Sequence, residues 1–253
     1  MPVRSFGPST LWATREDVAG STPIKFGAVQ SFTLDHKATT KELQGNGVFA
    51  DAIGRSKVSV TGKISFGWVH GRVFSDLFFG TALSTGQLTT VNAEAAVVPA
   101  GPPCTVVVAN AATFVSDNGV SYAATAVPLQ QVAAAPVAGQ YMVNAETGTY
   151  TFAAADEGKA LLIDYLQTIA ATGQQVTVSQ TLQGIQPVFQ IVNERVFQGP
   201  TGLQKVVYKL NACVADDLST PTKQGDFSTT DLGFAAFADA SGTVEQISIN
   251  QVT

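Results

Sequence analysis

Charge is scarce in this sequence of 253 residues: Asp, Glu, Lys and Arg make up 13% of it, about half the usual share for a soluble domain. Hydrophobic residues reach 45%, which fits either a surface partly covered in an assembly or a weakly charged monomeric β protein. The net charge is −5, and no run of lysine and arginine is present to neutralise successive phosphates, which excludes tight nucleic-acid binding. Cysteine is limited to Cys104 and Cys213. They stand far apart without C-x-x-C spacing, so separate thiols are expected rather than a zinc or redox site. No Asn-x-Ser/Thr sequon occurs. The opening residues Met1–Gly7 lack an apolar core of signal-peptide length, and prolines interrupt the longest charge-free stretches. Neither secretion nor membrane insertion is expected.

Catalytic equipment is equally thin. His36 and His70 are the only imidazoles, and no G-x-S-x-G, H-E-x-x-H, P-loop or EF-hand spacing appears. Gly199-Pro200-Thr201-Gly202-Leu203-Gln204-Lys205 lacks P-loop spacing and reads as a turn between strands. Ala155-Asp156-Glu157-Gly158-Lys159 places two acids side by side before a glycine. That arrangement suits a solvated turn better than two carboxylates flanking a substrate. A polar contact is expected for His36 and a hydrogen-bonded core-edge position for His70. No enzymatic activity, cofactor or metal is expected.

Strand chemistry dominates what is there. In Lys57–Phe66, Val58, Val60, Ile64 and Phe66 alternate with Lys57, Ser59, Thr61, Lys63 and Ser65, the period of a half-buried strand. Val206, Tyr208, Leu210 and Ala212 alternate in the same way with Lys205, Lys209 and Asn211. Further strands are expected at Ala28–Leu34, Ala160–Tyr165, Gln175–Leu182, Val188–Phe197, Leu232–Ala238 and Val244–Ile249, and a hairpin over Tyr141–Phe152. One short α-helix is expected over Trp68–Phe79, where Val69, Val73 and Leu77 recur every four residues and Gly80 supplies a left-handed cap. Asp35 to Arg55, polar and punctuated by Gly45, Gly47 and Gly54, reads as a long inter-strand loop, a place to look for contacts with another subunit. From about Gln87 to Thr172 the composition turns to Ala, Val, Pro and Gly. The expected class is mainly β.

Three stretches in this order resemble the major tail-tube proteins of siphophages, the long non-contractile-tailed phages. The first is Gly27–Leu34 with Lys41–Gly45 and then Gly54–Ile64. The second is the helix ending Leu77-Phe78-Phe79-Gly80, followed downstream by Thr149–Asp156. The third is Lys223–Phe227 through Leu232–Gly242. The resemblance covers the two ends of the chain, and the Ala/Pro-rich middle departs from it. It implies a tail-tube-type β-sandwich or barrel: one domain whose tube core is 1–86 and 173–253, with 87–172 as an outer β insertion. It also implies stacked homo-hexameric rings around a channel through which DNA passes without specific binding. The partners implied are the chain itself and other tail proteins such as the tape measure and the tail terminator.

On that reading, Asp35, His36, Lys41, Glu42, Gln44, Gly45, Phe49, Asp51 and Arg55 belong to the inter-ring contact loop. Lys57, Ser59, Thr61, Lys63, Lys205, Val207 and Lys209 lie on the inter-subunit barrel strands. The acidic balance suits a bore that does not hold a passing phosphate backbone. Two other assignments share the β composition: a binding module of the carbohydrate-binding or baseplate-adhesin kind, and a capsid decoration protein. A sugar platform needs exposed aromatics, and Trp12 and Trp68 are the only tryptophans.

Overall fold

The structure, a computed structural model, describes Gly7 and residues 9–180, 182–199 and 202–250. In chain order the strands are β1 (Ser9–Arg15), β2 (Ile24–Lys25), β3 (Val29–Gln44), β4 (Ala50–Phe66), β5 (Leu83–Val97), β6 (Thr105–Val107), β7 (Phe114–Tyr122) and β8 (Gln130–Gln131). They continue as β9 (Gln140–Asn144), β10 (Thr149–Phe152), β11 (Ala160–Val176), β12 (Phe189–Gly199), β13 (Gly202–Ser219), β14 (Thr230–Phe237) and β15 (Glu245–Ile249). The chain is mainly β. Its contacts divide it into two compact units, one made of residues up to Leu83 together with Val176 onward, the other Ser84–Gln175.

The first unit is one antiparallel sheet in the order β2-β1-β12-β13-β14-β4-β3, with β15 added to β13 in line with β14. Its end strands β2 and β3 are separated in sequence only by Phe26–Ala28, so the sheet curls on itself. It stays open, because among the described residues no ladder joins β3 to β1 or β2. Inside the curl, Leu11, Phe26, Phe32, Ile64, Phe66, Phe189, Ile191, Leu232 and Phe234 form the core with Val73 and Leu77 of the helix. Each fully buried Leu, Ile or Phe contributes roughly 1.5–3 kcal/mol. Gly62 falls on this inner face, and a Cβ there would lie 2.4 Å from the Phe234 ring and 2.6 Å from the Thr33 carbonyl oxygen.

Several sequence expectations are corrected here. The helix is shorter than read and has π geometry, Val73–Phe79, capped by Gly80 at φ 70°. Trp68, Val69 and His70 precede it and are exposed. Val58 is exposed too, because the sheet below it has ended. In β13 a bulge sets Phe189 opposite Cys213 but Ile191 opposite Leu210, so Cys213 joins the core cluster while Ala212, buried as read, lies outside that cluster. Gln175 and Val176 finish the 17-residue β11 rather than opening a new strand. Pro200 and Thr201, read as part of a turn, lie outside the described residues, as do Met1–Phe6; Gly199 and Gly202 pair across that gap.

The second unit has a four-stranded sheet, β6-β10-β9-β8, and a three-stranded sheet, β5-β11-β7. Val120, Tyr141, Tyr150, Phe152, Leu161, Ile163 and Tyr165 from both sheets form one core, as in a β-sandwich. Its buried tyrosines carry their hydroxyls to acids. Asp117 accepts from Tyr141 at 2.5 Å and Tyr150 at 2.8 Å, and Glu94 accepts from Tyr165 at 2.6 Å. Burial, then these hydrogen bonds, raises the pKa of all three. Asp156 is no member of a solvated turn. It is fully buried, taking Tyr122 Oη–H at 2.7 Å, Lys159 Nζ at 2.7 Å and the Gly139 N–H at 3.0 Å. Burial alone would raise its pKa, and these three donors outweigh it and hold the carboxyl below its ordinary range.

Candidate assembly surface

The segment read as a loop from Asp35 to Arg55 is the long hairpin β3–β4, closed by the five residues between Gln44 and Ala50. The strand signal escapes the sequence because neither face of this stretch is buried, so no apolar alternation marks it. Down to Val60 the hairpin belongs to the sheet, since β14 pairs β4 from Phe66 to Val60 and no farther. Beyond that point Lys37–Gln44 pairs only with Ala50–Ser59. This far part is a two-stranded ribbon with both outer edges free among the described residues. Ribbons of this kind are marginally stable by themselves in water, and free edges are templates for another strand.

Two irregularities shape the ribbon. The register shifts between Thr39 and Thr40, where Ser56 is the extra residue, and again between Leu43 and Gln44 opposite Asp51. Such bulges add twist. Because residues facing each other across an antiparallel pair share a face, Lys37, Thr39, Lys41 and Lys57 fall on one face. The first bulge sends Arg55 to the other, beside Thr40, Glu42 and Ile53. The ribbon also carries large apolar side chains in water: Val48 is 94% exposed, Phe49 86%, Leu43 65% and Ile53 65%. Gly45 lies under the Asp51 carboxylate, which a Cβ would push aside.

At the ribbon root, His36 and Asp35 lie not in a loop but opposite Val60 and Thr61. His36 Nε2 meets Glu245 Oε2 at 2.7 Å, which ties the root to β15. Among the described residues nothing pairs with the outer edge of β15, so it and the β4 edge from Ala50 to Ser59 are both open where the ribbon leaves the sheet.

Thr61 and Lys63 alternate with the core residues Val60, Ile64 and Phe66, and Lys209 precedes the core residue Leu210, so these lie on the face turned away from the core, whereas Lys57 and Ser59 belong to the ribbon and Lys205 and Val207 alternate with half-buried neighbours. Backbone edges of their strands below the ribbon are taken: β4 by β3 and β14, and β13 by β12, β14 and β15. Side chains are therefore what these strands offer a partner. Two of the lysines are neutralised locally, Lys63 by Asp231 at 2.9 Å and Lys205 by Glu194 at 2.9 Å. Ser65 and Lys63 hold Asp231 below the usual carboxylate range.

A second surface had no signal in the sequence. At the seam where the curled sheet fails to close, an open cleft of about 590 Å³ is lined by Lys25, Phe26, Gly27, Gln30, Trp68 and His70 among others. Trp68 is 63% exposed and lies against Gly27, where a Cβ would come within 2.1 Å of the indole. Gly27 and Trp68 are 41 residues apart in the sequence, so only the fold brings them together.

Among the described residues no group of three or more His, Cys, Asp or Glu is placed to hold a metal. Cys213 is buried and its pKa is pushed up to about 12, which leaves it a poor nucleophile. No helix among the described residues is long and apolar enough to cross a membrane. Compared with models of known protein families the chain matches none, and no curated protein matches it.

Proposed function

We propose that this chain is a structural subunit that assembles with copies of itself into stacked hexameric rings. The stack forms the tube of a siphophage tail, through which DNA passes during ejection. The observation that carries the reading is the ribbon Lys37–Ser59, with free edges and with Phe49, Val48, Leu43 and Ile53 in water. A segment this apolar and this poorly supported is stabilised by a partner. Joining copies edge to edge pairs open backbone groups, and ring closure removes the edges that would otherwise aggregate. The sequence resemblance supplies hexamers, the tape-measure and terminator partners, and a virion tail assembled in the bacterial cytoplasm.

A binding-module reading has one observation behind it, the exposed indole of Trp68 over Gly27. It leaves the ribbon without a role, so self-assembly is preferred. Negative-stain microscopy and light scattering of the purified chain over a concentration range test the choice. Hollow tubes or six-fold rings are expected, and deletion of Thr40–Phe49 should leave a folded, monomeric protein. A monomer at every concentration would favour the binding module, and normal tubes from the deletion would remove the ribbon from assembly.

A further inference from the structure

The ribbon tip and the Trp68 cleft lie at opposite ends of the same strand. β3 starts at Val29 and Gln30 in the cleft and ends at Gln44 beside the tip. At about 3.3 Å per residue its 16 residues span roughly 50 Å, so a chain's tip does not reach its own cleft. We propose that the ribbon tip of one copy docks in the Trp68 cleft of a second copy, with Val48 and Phe49 leading. This rests on the self-assembly reading and names the receptor for the ribbon.

The two surfaces match in charge and in polarity. Residues 42–51 at the tip carry Glu42 and Asp51 and no cation. Lys25 lines the cleft, and among the described residues no carboxylate does. On the tip Phe49 and Val48 are almost wholly in water, and in the cleft Trp68 is exposed over more than half its surface. Aromatic side chains of this size supply most of the energy when they leave water at an interface. The cleft walls also offer backbone. β2 pairs β1 only at Trp12 and Ala13, and among the described residues Ser9 and Thr10 have no strand on that side. Across the cleft no strand among the described residues pairs with the outer edge of β3.

Because tip and cleft are different surfaces, the contact is heterologous and propagates from copy to copy rather than closing a pair. Its direction follows β3. The repeat along the stack is therefore no longer than about 50 Å, the reach of that strand.

The test uses the full-length chain with exposed cysteines introduced by Phe49→Cys and by Gln30→Cys in separate preparations. Mixed and oxidised, the two should give a disulfide-linked heterodimer, and a chain carrying both changes should give a ladder of linked oligomers. Adding Trp68→Ala, a change at an exposed site with the circular dichroism spectrum as the check on folding, should lower bridging about tenfold. Tubes that form without this bridge, or that are indifferent to Trp68→Ala, overturn the docking and leave self-assembly standing. The docking is overturned in the same way if the cleft proves filled by the residues preceding Ser9, or if added oligosaccharide quenches Trp68 while no bridge forms. A wild-type chain that remains monomeric at every concentration overturns both.

Discussion

At Gly62 the inner face of β4 passes so close to Phe234 and to the Thr33 carbonyl that a side chain has nowhere to go. Gly62→Val is expected to cost about 1–3 kcal/mol through overpacking, read as a lower urea midpoint with an unchanged slope. Asp156 makes a different argument. Its carboxyl is held ionised by Lys159, Gly139 and Tyr122, so its folded pKa is lower than its unfolded one. The stabilisation is complete above the unfolded value of about 4 and fades as pH falls through the folded value. Asp156→Asn should lower stability by ~1–3 kcal/mol at neutral pH, since it weakens a buried hydrogen-bonded network. The variant should also lose part of the acid sensitivity of the wild type. Equal acid sensitivity in both, followed by fluorescence from pH 7 to 3, would assign the acid response to other groups.

Among elements, β15 and the ribbon differ in what holds them. β15 is held to β13 by its ladder and returns from β14 through a turn built on Asp239, which accepts from the Ser241 and Thr243 N–H groups at 2.9 Å and from Asn211 at 2.8 Å. The Ser241 hydroxyl, donating to the same carboxylate at 2.7 Å, leads these donors in lowering the Asp239 pKa to about 2, so the turn stays intact through mild acid. The ribbon has no such support beyond the His36–Glu245 contact. Its amides from Lys37 to Ser59 should exchange with solvent quickly in the monomer, while those of Val60–Phe66 exchange slowly. In assembled tubes the ribbon amides should become protected. Fast exchange in both states would mean that the ribbon takes no part in the contacts between copies.

The whole molecule holds two separate hydrophobic cores, one inside the curled sheet and one between the sheets of Ser84–Gln175. Separate cores unfold as separate cooperative units. Calorimetry of the monomer is expected to show two transitions, with Gly62→Val lowering one and Asp156→Asn the other. A single transition moved by both variants would mean that the units melt together.

The sequence by itself determined those elements in which one face meets the core and the other meets water. Val60, Ile64 and Phe66 mark β4, Phe189 and Ile191 lie within the strand read at Val188–Phe197, and Tyr141–Phe152 marks the β9–β10 hairpin, because alternation at period two is the imprint of half-burial. Tertiary structure decided what carries no such imprint. The ribbon is wet on both faces and looked like a loop; a bulge brought Cys213 into the core; Asp156 looked solvated until Tyr122 and Gly139 closed over it. The Trp68 cleft depends on Gly27, 41 residues away in the sequence. Local pattern records which way a side chain points relative to its neighbours, whereas distant segments meet only when the sheet curls, and that curvature is a property of all its strands together.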